Sequence, residues 1–443
     1  MLLSSAATTN LKTPSPSPLL DRKIEEITAS LPAAFNKKVH SISEANAATV
    51  VDYITAMKTE INLTDNYRRV TIQTLCKLSR YCDNKPFKDF TRANLIDFLE
   101  TYRKTETQDP MHKWIGTYNI FRTYLLRFFK WLYNPDIEPS KRSKPHVVEN
   151  IAHLKRKEKS IYKPSDLWTQ QDDLLFLKYC PGKREKCYHS ISRDTSCRPS
   201  EILKLKIRDV VFKTTGNSQY AEACVNGKTG NRPIPLIDSI PYLKDYLEHE
   251  HHQAGNPNAP LISGTGKGLG RHMSAMRINI IYREYKKQIF PKLLESPNVL
   301  PEDKQKIKEL LRKPWNPYIR RHSALTEKST ILKENVLRQH AGWSLGSQMH
   351  LKYLHYFGNE SNESLLEAYG IIDKSIQLDQ LRPKQCPNCS EPNKPDSKFC
   401  SKCRMVLSYD AYTETLEQRK EDENHWLELK REVDNLKALL NKS

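Results

Sequence analysis

The stretch GWSLGSQMHLKYLHY, residues 342–356, carries two tyrosines, two histidines and a tryptophan in a segment with helical spacing. Leu345, Met349, Tyr353 and Tyr356 lie four, four and three residues apart, which by itself reads as one apolar face of a helix. Whether one tyrosine does chemistry depends on residues far upstream. Three segments bear on it: DTSCRPSEILKLKIRDV (194–210), NGKTGNRPIP (226–235) and PYIRRHSALT (317–326). Each alone is weak, because an arginine before a proline at a helix start is common and a lysine in a hairpin turn is ordinarily a solvated charge.

The chain has 443 residues, enough for two or three domains that each bury a core. Its formal net charge of +19 suits a polyanionic partner, since each lysine or arginine that meets a phosphate releases a condensed counterion. Nucleic acid is therefore the first expectation. No run of eighteen apolar residues occurs, and the start MLLSSAATTNLKTPSPSPLL lacks a basic region followed by an apolar core, so neither a membrane span nor a secretory leader is expected. Four of the ten cysteines cluster at 386–403 and six are scattered, a usage that points to a reducing compartment, the cytoplasm.

Residues 1–21 read as a disordered N-terminus, and 22–134 as almost wholly helical. Ser41 with Glu44 resembles a capping box ahead of one helix, and Thr64 with Asp65 starts the next. In KWIGTYNIFRTYLLRFFKWLYN, Trp114, Tyr118, Phe121, Leu125, Phe128 and Leu132 recur at helical spacing and read as core, while Lys113, Arg122, Arg127 and Lys130 supply positive charge. Residues 135–165, rich in lysine, arginine and proline, read as a basic linker. A second, mainly α domain with a small β-hairpin near 207–237 spans 166–372, opened by Thr169 and Asp172 as a helix cap. A cysteine module follows at 382–408, then a charged helix at 411–443. There Trp426, Leu429, Val433, Leu436 and Leu440 form a short heptad seam, read as a coiled coil or an amphipathic packing helix.

Taken in order and spacing, the four segments of the second domain resemble the tyrosine recombinase (phage integrase) family, with phrasing similar to archaeal members. The resemblance covers most of 166–356, and residues 22–134 look like the helical core-binding domain that precedes it. By that resemblance Arg198 and Glu201 are the first arginine and its acidic support, and Lys228 is the hairpin lysine. Arg321, followed by His322, is the second arginine. Trp343 stands at the His-or-Trp position, and Tyr353 ten residues later is the nucleophile. The alternative register through Arg320 loses the Arg-His pair. One departure stands out: the family's histidine, three residues before the second arginine, is Tyr318 here.

The residue types suit the chemistry. Two guanidiniums stabilise the extra negative charge on a five-coordinate phosphorus. A tyrosine, with its ordinary pKa near 10, needs a cationic field and a base before it attacks. Lys228 is expected to protonate the leaving 5′-oxygen, with Lys213 and Arg232 as nearby alternatives. Trp343 and Tyr318 have hydrogen-bond donors for a phosphate oxygen, and His322 or water is left as base. His340, His350 and His355 read as surface or satisfied histidines. The resemblance implies a site-specific recombinase of a mobile-element kind, acting on double-stranded DNA through a 3′-phosphotyrosine. It also implies a homo-oligomer, a tetramer on paired sites, with no cofactor for the cleavage itself. A type IB topoisomerase-like activity and a non-catalytic DNA-binding protein are the alternatives.

CPNCSEPNKPDSKFCSKC places Cys386, Cys389, Cys400 and Cys403 as C-x2-C-x10-C-x2-C, the spacing of a zinc ribbon, and structural zinc is expected there.

Overall fold

A computed structural model describes residues 18–156, 162–216, 218–227, 230–344, 346–354, 369 and 380–440. Lys228, Leu345, His355 and Tyr356 lie outside the described residues. The chain divides into two compact units, Met1–Ile161 and Tyr162–Ser443. It is mainly helical with a small antiparallel sheet, and no described helix is long and apolar enough to cross a membrane.

The first unit is built from α1 (Pro18–Thr28), α2 (Ala33–His40), α3 (Glu44–Glu60), α4 (Asp65–Tyr81), α5 (Arg92–Glu100) and α6 (Trp114–Tyr133). Thr64 caps α4 by accepting from the Tyr67 amide. The expected cap at Ser41 is not used: α3 starts after Ser43, and the Ser41 hydroxyl donates to the Lys38 carbonyl at the end of α2 (2.8 Å). The aromatic stripe of α6 is core. Phe128 is fully buried, its ring 4.9 Å from Phe87 and 5.2 Å from Tyr53 in edge-on packing. Lys113 and Arg127, on the same helix, are exposed.

Part of the segment expected to be a linker belongs to this core. Val147, Val148 and Ile151 are buried in it, and the Arg122 and Asn119 side chains donate to the carbonyls of Ile151 and Leu154 (2.7 and 2.8 Å). Basic composition hid three apolar residues that anchor the segment after Pro145, which opens with a single 3-10 turn over His146–Val148.

The second unit begins with α7 (Gln170–Tyr179), opened by a reciprocal capping box between Thr169 and Asp172. It continues with α8 (Lys183–Thr195) and the single turn α9 (Pro199–Ile202). The expected hairpin is a three-stranded antiparallel meander of β1 (Val210–Thr215), β2 (Ser218–Gly227) and β3 (Gly230–Leu236). Gly227 pairs with Gly230 across its last turn. Then come α10 (Ile240–His249), α11 (Ala275–Glu284), α12 (Phe290–Glu295), α13 (Pro301–Arg312), α14 (Pro317–Ile331), α15 (Glu334–Ala341) and the short α16 (Leu351–Leu354). A two-stranded sheet, β4 (Lys384–Gln385) with β5 (Pro392–Asn393), lies in the cysteine module, and a helix runs over Tyr409–Leu440. On that helix Trp426, Leu429 and Val433 are exposed.

A buried ionic node fixes α14 against α7 and α8. Asp173 is fully buried and accepts from Arg320 Nη1 (2.8 Å); its other close neighbours are His189 Nε2 (2.9 Å) and Arg193 Nε (3.6 Å). Burial pushes the Asp173 carboxyl up, but the charge of Arg320 and the partners His189 and Arg193 outweigh it and hold it below the usual range. Arg320 is thus a structural residue aimed away from its neighbour Arg321. Asp173→Ala strands Arg320 as an unpaired buried charge and is expected to cost about 3–5 kcal/mol in denaturant unfolding. Because the folded carboxyl titrates low, its contribution is fully present above about pH 4. It is lost as pH falls through the lowered value, so variant and wild type should converge in stability in acid.

Candidate active site and metal centre

Arg321 leaves α14 one residue after Arg320 and is buried at 5% exposure. Its Nη1 donates to the Ser196 carbonyl (2.5 Å) and its Nη2 to the Ala341 carbonyl (3.0 Å). Ser196 and Ala341 stand at the C-terminal ends of α8 and α15, so the cation sits at the negative ends of two helices. Both ends turn through a left-handed residue, Ser196 (φ 50°) and Gly342 (φ 65°), which turns the terminal carbonyls toward the guanidinium. A guanidinium has five N–H donors. Among the described residues, the remaining three of Arg321 make no hydrogen bond.

Arg198 stands just before Pro199, which starts α9. Its backbone N–H and its Nη1 both donate to Glu201 (2.9 Å each), and its side chain is one-third exposed. Burial lowers the Arg321 affinity for its proton, and the second cause is the charge of Arg198. Two guanidiniums close enough for the charge of one to disfavour that of the other suit an anion such as a phosphodiester.

Glu201 ties this pair to a residue that the sequence reading placed only as an alternative. Arg232, on β3, donates from Nη2 to Glu201 (3.1 Å) and to the Cys197 sulfur (3.2 Å), and from Nε to the His340 carbonyl (3.2 Å). Its Nη1 is buried without a hydrogen-bond partner among the described residues. Burial pushes the Glu201 carboxyl up, but the Arg198 amide and the Arg232 and Arg198 charges keep it below its ordinary value, ionised at neutral pH. A Cβ on Gly342 would come within 2.5 Å of Arg232 Nη1, and one on Gly227 would also meet it, so a side chain at either position would displace this guanidinium, and Gly342 has in addition a left-handed φ of 65°. The signal was available in GNRPIPLI: strand alternation puts Arg232 on the inward row with Ile234 and Leu236.

Tyr353, on α16, is buried at 2% exposure. Its ring stacks on Trp343 (centroids 5.4 Å, planes 21° apart), and its hydroxyl lies 3.0 Å from His322 Nδ1. Leu325, Leu337 and Ala341 complete its apolar surroundings. The structure therefore gathers Arg198, Glu201, Arg321, Trp343 and Tyr353 into one region. It adds His322 and Arg232. Tyr318 is exposed at 47% and makes no hydrogen bond among the described residues. Lys228, which follows Gly227 in the sequence, lies outside the described residues. His340 is largely buried and its pKa is pushed down to about 3 by burial and then by the Lys328 charge, so it stays neutral. His350 is buried and satisfied by the Ser347 carbonyl and Arg338 (3.2 and 3.0 Å).

The four clustered cysteines meet. Their sulfurs all lie within 4.8 Å of one another, with Cys386–Cys403 at 3.5 Å and Cys389–Cys400 at 3.6 Å. Those separations are far from a disulfide bond and near the roughly 3.8 Å between sulfurs of a tetrahedral site with metal–sulfur bonds of about 2.3 Å. Each pair is set by a tight turn, closed by Ser390 N–H to the Cys386 carbonyl (2.8 Å) and Arg404 N–H to the Cys400 carbonyl (3.0 Å). A metal ion such as zinc fits this donor set. The module is docked on its own unit: Lys394 bonds Asp245 of α10 (2.6 Å), Glu391 pairs with Lys244, and Leu381 packs with Leu177 and Tyr242.

No protein-family model and no curated protein matches the sequence. Among solved structures, the chain is similar to the XerH site-specific recombinase bound to difH substrate in a pre-cleavage complex. That match has 16% identity over 79% of this chain and 94% of that one, with a TM-score of 0.46. A lambda integrase dimer bound to a COC′ core site gives 12% identity, 77% and 86% coverage and a TM-score of 0.46. The Tn1549 transposon integrase in complex with circular intermediate DNA gives 16%, 72%, 99% and 0.45.

Metal analysis of the purified chain is expected to find one zinc per polypeptide, lost in Cys400→Ser. Chelation should lower the melting temperature, because the free energy of filling a four-thiolate site is folding free energy. A chain that keeps its melting temperature and contains no metal would contradict this.

Proposed function

We propose that this chain is a site-specific DNA recombinase or integrase that cuts and rejoins strands through a 3′-phosphotyrosine on Tyr353. The observation that carries the reading is the placement of Tyr353, stacked on Trp343 and hydrogen-bonded to an imidazole, beside Arg321 and Arg198. A scissile phosphate held by the two arginines would present its phosphorus to the phenolic oxygen, and their charge would stabilise both phenolate and transition state. Arg321 is already oriented by two helix ends, so little reorganisation accompanies charge development. Glu201 and Arg232 act through Arg198 by fixing its direction. Lys228 is proposed as the acid for the leaving 5′-oxygen, on the strength of its place after Gly227 in the sequence. The Trp343 indole N–H and the Tyr318 hydroxyl are candidate phosphate donors.

In this reading residues 22–134 form a DNA-binding helical domain and 166–372 the catalytic domain. The ribbon holds a structural zinc, and the enzyme works on duplex DNA as a homo-oligomer, with the exposed seam of the terminal helix assisting assembly. The archaeal-type likeness of the sequence phrasing belongs to the same proposal.

A nicked suicide substrate tests it. Wild type is expected to become covalently attached to a DNA 3′-phosphate, Tyr353→Phe to form no adduct, and Arg321→Ala or Arg198→Ala to slow adduct formation about 10²–10³-fold. An undiminished adduct with Tyr353→Phe would refute the assignment. Products from two-site DNA that show relaxation without strand exchange would favour a topoisomerase, and no adduct with tight binding a non-catalytic protein.

A further inference from the structure

We propose that His322 is the base that takes the phenolic proton of Tyr353, a role the structure moves one helical turn from the position where the family resemblance places a histidine. The inference rests on the proposed function and adds to it the residue that activates the nucleophile.

The geometry carries it. Tyr353 Oη lies 3.0 Å from His322 Nδ1, inside the range for direct proton transfer. The two rings stack at 5.6 Å with planes 26° apart, so the contact is held by ring packing as well as by the hydrogen bond. Tyr353 is 2% exposed, which leaves bulk water little access to its hydroxyl. The imidazole is itself braced: the Tyr162 ring packs against it at 5.0 Å, and the Tyr162 hydroxyl donates to Asn316 (3.2 Å). Asn316 is the cap of α14, accepting from the Ile319 amide (2.9 Å). The helix that supplies His322 therefore also fixes the ring that supports it.

Helix geometry explains why the role is transferable. Positions 318 and 322 are four residues apart on one face of α14, and a helical side chain leans over the turn N-terminal to its own Cα. A histidine at 322 thus serves the face that a residue at 318 would serve, while Tyr318 itself points out to 47% exposure. Groups packed against the imidazole include Tyr353 on α16 and Tyr162 before α7. Arg321 is adjacent on α14, its charge coupled to Arg198 and Tyr353.

The step balances as follows. Neutral His322, with its proton on Nε2, accepts the Tyr353 proton on Nδ1. The Tyr353 oxygen forms its bond to phosphorus, the bond from phosphorus to the 5′-oxygen breaks, and that oxygen takes a proton from the separate acid. When a 5′-hydroxyl later attacks the phosphotyrosine, its proton passes to the acid left deprotonated by the first step, the bond from phosphorus to the Tyr353 oxygen breaks, and the imidazolium returns its proton to that oxygen.

The test uses the full chain and a nicked suicide duplex, with DNA affinity measured alongside. His322→Gln keeps a hydrogen-bonding side chain but does not titrate. It is expected to form adduct about 10²–10⁴-fold more slowly, and to lose the fall in rate that wild type shows toward acid pH, where imidazolium cannot accept a proton. His322→Gly is expected to recover adduct formation on addition of imidazole, with rates that rise with the basicity of substituted imidazoles, a response that a packing role would not give. A His322→Gln rate and pH profile equal to wild type would overturn the inference, as would a His322→Gly rate indifferent to imidazole. Failure of wild type itself to form adduct would instead remove the Tyr353 reading on which it stands.

Discussion

The guanidinium of Arg321 held between two helix ends is the contact on which the rest of the site depends. A buried cation is costly unless it is satisfied, and here the Ser196 and Ala341 carbonyls satisfy it from α8 and α15. The same contacts set where α15 ends, hence where Gly342 turns and where Trp343 begins. Trp343 in turn supplies the surface against which Tyr353 stacks. One buried charge is thereby linked to the proposed nucleophile, by backbone carbonyls to the end of α15 and by the Trp343 ring to Tyr353. Its neighbour Arg320 works in the opposite direction, pinning α14 to the Asp173 node. Two consecutive arginines divide the labour: one secures the helix, the other faces the site.

A second layer runs through Glu201, whose carboxylate joins Arg198 to Arg232. Arg232 reaches from the sheet to the end of α15 and fills the space left by Gly227 and Gly342. The sheet, α9 and α15 are therefore coupled through one arginine, and removal of its charge would be felt at Arg198 through Glu201. The cysteine module is attached by similar means at a distance from these residues, with Lys394–Asp245 and Lys244–Glu391 flanking an apolar contact. It is an extension of the second unit that carries its own cluster of four cysteines.

Several local signals were legible where chemistry and spacing coincide within a short stretch, although the Ser41–Glu44 pattern misplaced a cap by two residues. The α6 stripe, the Thr169–Asp172 cap and the four cysteines could be read from the chain because each is a short-range pattern. What was not legible depends on tertiary approach. The partners of Arg321 are backbone carbonyls, which carry no residue identity. The docking of the ribbon pairs Lys394 with Asp245 across 149 positions. His322 could be placed beside Arg321 but not against Tyr353, because that contact depends on where α16 packs. The segment around Val147 was mistaken for linker because its charge outweighed three apolar residues, and Arg232 stood only as an alternative to Lys228 because its bond to Glu201 joins positions 31 apart in the chain.

In the proposed mechanism Tyr353, and no other tyrosine, becomes linked to DNA. Proteolysis of a covalent complex, followed by mass spectrometry of the nucleotide-bearing peptide, measures this directly. The account predicts a 3′-phosphoryl nucleotide on Tyr353; the nucleotide on Tyr356 or Tyr318 would contradict it.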